Sequence, residues 1–549
     1  MSSNKICKEE LMLFSYSKSK SNKLIFKGYL KANNKILYSS EAKEYLKYQL
    51  NENSVEDIFK NINGSFHFVY FNDEILYFGV DHFGDYSLFY DESTFEIHDN
   101  PSEHYDSYNL SDTDVLSLLT SGFTIGENTV FENIKYCLPG ILYQYDFKKQ
   151  QLRKTKWFPL KNDQNTKYDR MKLDKIFVNS FPDDLGDKKL LLPLTAGIDS
   201  RLILSFFLKK KYELQTFTSG HSQEKDVKVA KKISSDIGVK HRFYRISEKS
   251  KKQYFTEKDF QQLINRVFLG NAIPHESDWM VIKSLKENSI VTLGRGGNWL
   301  SGDYNDFTRK ITCLPKAIDY IIHKEFNLTG FSSKHNKQVI KNKVIDHFGK
   351  IFTTKFSKAK TIWELHNKGA KYTPQKTYLR NNVDIYMPLH DRKIAEYFLN
   401  LKEKWLINEY AYFDYAKNYA FCGDFYFLKS YPTTRKNYHK QEDKFIKERL
   451  KIIWENVDYK RNLKKIIPSK NSHYKKAFYI LFGQNNKNFL NKRVIELFPK
   501  ISLTADYLYN RRCKLSSHHL HWLKNQRIGQ LTTNGLYLCK MLPYIFRLV

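Results

Sequence analysis

The stretch KKLLLPLTAGIDSRLILSFFL, residues 188–208, constrains the chain more than any other. Leu190 to Leu194 is an almost unbroken apolar run, which suits a short strand covered on both faces in a parallel sheet. The run stops at Thr195. Beyond a short polar interruption, Leu202, Ile203, Phe206 and Phe207 recur at spacings of three and four, the period of a helix laying one stripe on a core. Strand, tight loop, helix is the expected order. Such a loop aims backbone N–H groups and the positive end of a helix dipole at its centre, so an anion is the expected guest. Gly197 lets the backbone come close, and the Thr195 and Ser200 hydroxyls add hydrogen bonds. Asp199 would be repelled by a phosphate unless a cation stood between them, which makes it the candidate magnesium ligand. The bland reading is an ordinary α/β turn with Ser200 as no more than an N-cap. The loop carries neither the GxxxxGK[ST] pattern nor a GxSxG elbow.

A chain of 549 residues has room for roughly two to four domains with large cores. Cys7, Cys137, Cys313, Cys422, Cys513 and Cys539 are scattered with no C-x-x-C pair, which argues against a zinc site or a disulfide framework and for a reducing compartment. The first residues lack the apolar core of a signal peptide, and no run approaches the length that spans a bilayer, so a cytoplasmic protein with no membrane partner is expected. The formal net charge of +31 admits an anionic macromolecular partner. It is spread thinly, however, with KKK at 209–211 as the longest basic run. A lysine-rich solvated surface is therefore favoured over nucleic-acid binding.

The expected boundaries are 1–160, 161–430 and 431–549. The first zone holds short runs rich in Phe, Tyr, Val and Ile, such as KLIFKGYL, GSFHFVYF and EILYFGV, bounded by Asn, Asp and Gly, and reads as β-rich. In the second, strands alternate with helices. LQTFTSG is a strand closing on Ser219 and Gly220, and Val229, Ile233 and Ile237 share a helix face that Gly238 terminates. HRFYRI is a third strand. A helix over 275–287 and the strand SIVTL lead into the glycine-rich GRGGNWLSGDY, which begins at Gly294. Ligands bind outside the strand ends of such a sheet, so both glycine loops can face one cleft. The third zone reads as helical, with the amphipathic segment 440–457 its clearest element. His518, His519 and His521 form no metal pattern, since adjacent histidines point to different faces and no carboxylate or Cys lies beside them.

These segments, in this order, resemble the asparagine synthetase-like proteins, which fuse a class II glutamine amidotransferase domain to an ATP-pyrophosphatase domain. LTAGIDSR is similar to the family's SGGxDS loop, with Thr195 and Ala196 in place of Ser and Gly. GRGGNWLSGDY lies where the family has its second glycine loop. NNVDIYMPLHDRKIAEYFLNL resembles its later PFLD segment, with Pro388 and Asp391 at corresponding points. INGSFHFVYFNDEILYFGVDHFGDYSLFY and LTSGFTIGENTVFENIKYCLPGILYQYD are similar to amidotransferase stretches. The likeness runs from about residue 60 to about 425 and implies an α/β protein. An N-terminal Ntn-type αββα sandwich would precede a parallel-sheet domain of the adenine nucleotide α-hydrolase type, with a helical C-terminal extension.

What the resemblance implies is carboxylate activation by ATP with Mg2+. A carboxylate attacks the α-phosphate, pyrophosphate leaves, and an amine or ammonia displaces AMP from the acyl-adenylate. Leu194, Thr195, Ala196, Gly197, Asp199, Ser200, Ser219, Gly294 and Gly296 would contact ATP or pyrophosphate, and Lys436, with Arg435 beside it, would meet charge on the α-phosphate. The expected partners are a small-molecule or peptide carboxylate and an amine donor, with room for a homodimer. Two departures matter. Glutamine-hydrolysing members expose a cysteine as residue 2, where this sequence has Ser2, and Cys7 lies too far along to replace it, so glutaminase activity is expected to be lost. Asn298 and Trp299 stand where asparagine synthetases place an Asp-Glu pair, so a metal would rest more on Asp199. The rivals are an RNA-modifying ATP-pyrophosphatase, a cyclase of peptide or antibiotic precursors with the same chemistry, and a non-catalytic relative that binds a nucleotide or a partner.

Overall fold

The computed structural model describes residues 12–15, 22–101, 109–158, 166–185, 188–220, 224–245, 267, 269–272, 278–285, 289–302, 311–326, 334–352, 356–371, 374–407, 409–423 and 427–430. Ser2, Cys7, Arg435, Lys436, the segment 440–457 and the histidines at 518–521 lie outside these residues. So does much of the helix expected over 275–287, of which Trp279–Ile282 is helical.

The front of the chain builds two antiparallel sheets. One has four strands in the order β1 (Met12–Phe14), β7 (Ile97–His98), β6 (Phe89–Asp91), β8 (Ile134–Tyr136). The other has six, in the order β10 (Gln151–Lys156), β9 (Ile141–Asp146), β5 (Ile75–Val80), β4 (Gly64–Asn72), β2 (Lys23–Ala32), β3 (Lys35–Tyr38). The two-residue period of β4 explains their stacking. Phe66 and Phe68 point to one face, where they meet Phe59 of α2 (Val55–Asn61) at ring separations of 6.1 and 5.1 Å. Val69 points to the other, beside Phe78 of β5, whose ring lies 5.3 Å from Tyr90 of the four-stranded sheet. One sheet thus packs on its neighbour with one face and on helices with the opposite one. The helix α1 (Ser39–Glu52) buries Ala42 and Leu46; α3 (Asp112–Ser121) follows in the front half, and α4 (Arg170–Ser180), which buries Leu173 and Phe177, leads into the rear.

The rear half is a five-stranded, all-parallel sheet in the order β13 (His241–Arg245), β12 (Leu214–Gly220), β11 (Lys189–Pro193), β14 (Ser289–Thr292), β15 (Asp384–Tyr386). The chain begins in the middle at β11, moves outward through β12 and β13, then returns to the far side of β11. That reversal falls between β11 and β14, and in sheets of this topology ligands bind outside the C-terminal strand ends at such a point. The molecule is therefore α/β, an antiparallel front followed by a parallel sheet and helices. Helices Leu314–Glu325, Lys334–Phe348 and Phe356–His366 pack a separate apolar cluster around Ile321, Phe348 and Trp363. Among the described residues no helix is long and apolar enough to cross a membrane.

Front and rear share one core, in which Phe59, Phe66 and Trp157 belong to the same buried cluster as Leu192, Phe206 and Tyr386. Polar contacts cross the junction too. The turn after β15 carries Asp391, which accepts from Lys31 and Asn63 at 2.9 Å each. Arg392 donates to the Phe59 carbonyl at 3.1 Å and takes the Asn63 side-chain oxygen on its backbone N–H at 3.0 Å.

Candidate functional site

β11 leads through Leu194–Gly197 into α5 (Ile198–Lys209), as the change of period predicts. Gly197, not Ser200, is the N-cap. Ser200 is buried one turn in, where its hydroxyl accepts from the Thr195 N–H at 3.2 Å and lies 3.2 Å from the Thr195 hydroxyl. Thr195 Oγ1 in turn accepts from the Gly197 N–H at 3.0 Å. The two hydroxyls thus tie the turn to its own helix. Leu194 is fully buried, with its N–H on the Phe217 carbonyl at 2.8 Å and its carbonyl under the Thr218 hydroxyl at 2.6 Å. Ser219 is half-buried at the end of β12, paired with Tyr244 of β13.

Asp199 sits half-buried in the first turn of α5, where a carboxylate complements the helix dipole. The buried Tyr412 hydroxyl donates to its Oδ1 at 2.9 Å and fixes its orientation. The second glycine turn lies directly above. A Cβ added at Gly294 would stand 3.1 Å from the Ser200 nitrogen and 3.4 Å from Asp199 Cβ, and one at Gly297 would overlap the Asp199 carboxylate. Gly296, at φ +104°, occupies a backbone region that side chains rarely enter. Gly294 and Gly297 are therefore required by close approach to the Asp199 turn, and Gly296 by its own backbone angle and the nearness of His390, which brings the two loops together. A divalent cation at this point would rest on the Asp199 carboxylate. Among the described residues no group of three or more His, Cys, Asp or Glu could hold a metal by itself, so phosphate oxygens would have to complete the shell.

Three residues escaped the sequence reading. Asp226, in the first turn of α6 (Lys225–Asp236), accepts from the Ala196 N–H at 2.9 Å, so a carboxylate rests on one of the loop's amides. Arg201, 1% exposed, donates from Nε to the Gly197 carbonyl at 3.1 Å and from Nη2 to the Ala196 carbonyl at 3.0 Å. Its Nη1 reaches the Leu428 carbonyl at 2.7 Å, so the guanidinium clamps the loop from beneath. Arg201 had a visible signal, a charge inside the apolar pattern SRLILSFFL. Asp226 and Tyr412 had none, since each reaches the loop across a distance that spacing cannot encode.

Behind the second turn is a buried polar cluster. Arg295 donates to the Gly369 carbonyl at 2.6 Å, and burial pulls its guanidinium down to about 10, against the attraction of Asp85. Asp85 is fully buried. Burial would raise its carboxyl, but the charge and hydrogen bond of His390, with the Ser65 hydroxyl and Lys376, hold it below the usual carboxylate range. Trp299 meets Phe83 edge to face at 4.7 Å.

Residues 185–417 match the family model for asparagine synthase. No curated protein sequence matches the chain significantly. Two solved structures align with about half of it. One, described as the allosteric regulatory enzyme of purine biosynthesis, is 11% identical over 49% of this chain and 53% of its own, with a TM-score of 0.17. The other, the glutamine phosphoribosylpyrophosphate amidotransferase of B. subtilis with ADP and GMP, is 10% identical over 51% of this chain and 56% of its own, with a TM-score of 0.16. The chain thus spans little more than half the length of either.

Proposed function

We propose that the chain, whose residues 185–417 match the asparagine synthase family model, is an AMP- and pyrophosphate-forming amide ligase. It joins a small-molecule or peptide carboxylate to an amine or ammonia. The observation that carries this reading is the closure of the Gly294–Gly297 turn over Asp199 at the sheet's switch point. ATP bound there places its phosphates at the start of α5, within reach of the helix dipole. Bound magnesium would supply charge neutralisation of the departing pyrophosphate from Asp199. Tyr412 orients that carboxylate, and Arg201, by holding the Ala196 and Gly197 carbonyls, keeps the loop's curvature fixed before the nucleotide arrives. The carboxylate substrate then attacks the α-phosphate, and the amine displaces AMP from the acyl-adenylate. Lys436, with Arg435 beside it, is the candidate cation for the α-phosphate.

We read residues 1–160 as a structural front, 161–430 as the synthetase and 431–549 as its extension. The front hydrolyses no glutamine in this reading. Its contribution is the shared core and the contacts that Lys31 and Asn63 make to Asp391.

The test is release of AMP from ATP across a panel of carboxylates and amines, together with Asp199→Asn. Wild-type protein should release AMP only when a carboxylate is present, and the variant should lose on the order of 100-fold or more of that rate with its melting unchanged. AMP release that survives Asp199→Asn would refute the assigned role. A second reading, a relative that binds but no longer turns over, is favoured by the hydrogen bond from Ala196 N–H to Asp226, which already occupies a loop amide. Nucleotide binding without carboxylate-dependent AMP release would establish it.

A further inference from the structure

His390 lies 3% exposed in the turn Pro388–His390 of the rear half, and Asp85 is fully buried in the turn that follows β5 of the front. His390 Nδ1 and Asp85 Oδ2 are 2.9 Å apart. Asp85 is itself fixed, accepting from the Ser65 hydroxyl at 2.6 Å and the Gln375 amide at 3.0 Å. One face of the imidazole stacks on Phe83, centroids 3.9 Å apart and planes 10° from parallel. Its free edge meets the second glycine turn. A Cβ at Gly296 would stand 2.9 Å from His390 Cδ2 and 3.2 Å from Nε2. Nε2 is buried with no hydrogen-bond partner among the described residues. An unpaired buried polar atom carries a free-energy cost, so the ring is held there by its other contacts, Asp85 and Phe83. Both belong to the front half.

We propose that Asp85 is a positioning residue for the synthetase site: through His390 it sets the Gly294–Gly297 turn at its height over Asp199. The front half thereby takes part in nucleotide binding without touching the nucleotide. That role for the turn rests on the ligase reading above, whereas the mechanical link from Asp85 to the turn stands apart from it. Lys31–Asp391 joins the same halves, but among the described residues neither side chain hydrogen-bonds the glycine turn, so it welds without steering.

Hydrogen exchange on the full chain separates the two ideas. In Asp85→Asn, and in His390→Phe, which keeps the stacked ring and drops the hydrogen bond, amides of 289–302 should exchange about tenfold faster while those of 189–193 stay unchanged. The double variant should exchange no faster than either single one, because each change breaks the same link. Unchanged exchange at 289–302, additive effects, or equal loosening of 189–193 would overturn the proposal. A parallel arm adds Mg-ATP to the wild type. Protection at 195–200 and 294–297 is expected, and its absence would sink the ligase reading while leaving the exchange contrast, and hence the positioning role, standing.

Discussion

His82 shows what a single buried side chain does to this molecule. It is 1% exposed, with its ring 4.6 Å from Phe158 and 4.9 Å from Phe83, and neither nitrogen has a hydrogen-bond partner among the described residues. Burial, reinforced by the charges of His390 and Arg392, pushes its imidazole down to about 3. The unfolded chain takes up this proton as pH falls through its ordinary value of about 6.5, and the folded chain resists until about 3. The stability that comes from keeping His82 neutral is therefore fully present above pH 6.5 and drains away as pH drops from there toward 3, at up to about 1.4 kcal/mol per unit. His82→Phe fits the same aromatic surroundings and removes the titration. Urea unfolding should find variant and wild type within about 1 kcal/mol of each other at pH 7.5, with the variant gaining about 2 kcal/mol relative to wild type by pH 5. A gap that stays constant between those pH values would show that His82 is not held neutral.

At the scale of elements, β11, the turn and α5 form one unit whose joints are Arg201 and Tyr412. Arg201→Met keeps most of the apolar stem but strands the buried Ala196 and Leu428 carbonyls and takes one donor from the Gly197 carbonyl. Unpaired buried acceptors cost about 1–3 kcal/mol each, so a loss of about 3 kcal/mol is expected overall, with nucleotide affinity falling as the turn loosens. Thermal melting and ATP titration read the two effects; a variant as stable as wild type would mean that the clamp is idle. The same unit explains what the sequence could and could not reveal. Leu190–Leu194 and the spacing of Leu202, Ile203, Phe206 and Phe207 located β11 and α5 to within a residue at the strand, because burial on two faces and burial on one stripe leave different periods. The glycines of 294–297 were legible as a cluster, and the structure gives their reasons: a Cβ at Gly297 would overlap the Asp199 carboxylate, and one at Gly296 would crowd His390. Asp226 and Tyr412 were not, because α6 and the helix Tyr410–Tyr415 approach the turn through tertiary packing alone. Asp85 and His390 were hidden likewise, 305 positions apart and joined only by the docking of front on rear.

For the whole molecule, the decisive fact is that the apolar core does not respect the boundary near residue 160. Phe59, Phe66 and Trp157 are continuous with Leu192 and Phe206, and Arg392 pins the seam. Its guanidinium, 7% exposed, lies 5.5 Å from the centre of the Trp157 ring while bonding the Phe59 carbonyl and, at 2.7 Å, Glu396. Halves that each exposed such a surface on parting would lose apolar burial at about 25 cal/mol per Å2, so separate unfolding of the front is disfavoured. Pulse-labelled hydrogen exchange along a urea series should therefore show β4 and β11 losing protection at one shared midpoint. Arg392→Met should lower that midpoint for both strands together, by about 2–4 kcal/mol of stability, since it leaves the Phe59 carbonyl and Glu396 without their buried cation. Two separate midpoints in the wild type, or a shift in the variant confined to β4, would show that the front is an independent domain resting on the synthetase. In that event Asp85 would be too loosely held to steer the glycine turn, because a carboxylate can fix His390 only as firmly as its own half is fixed to the rear.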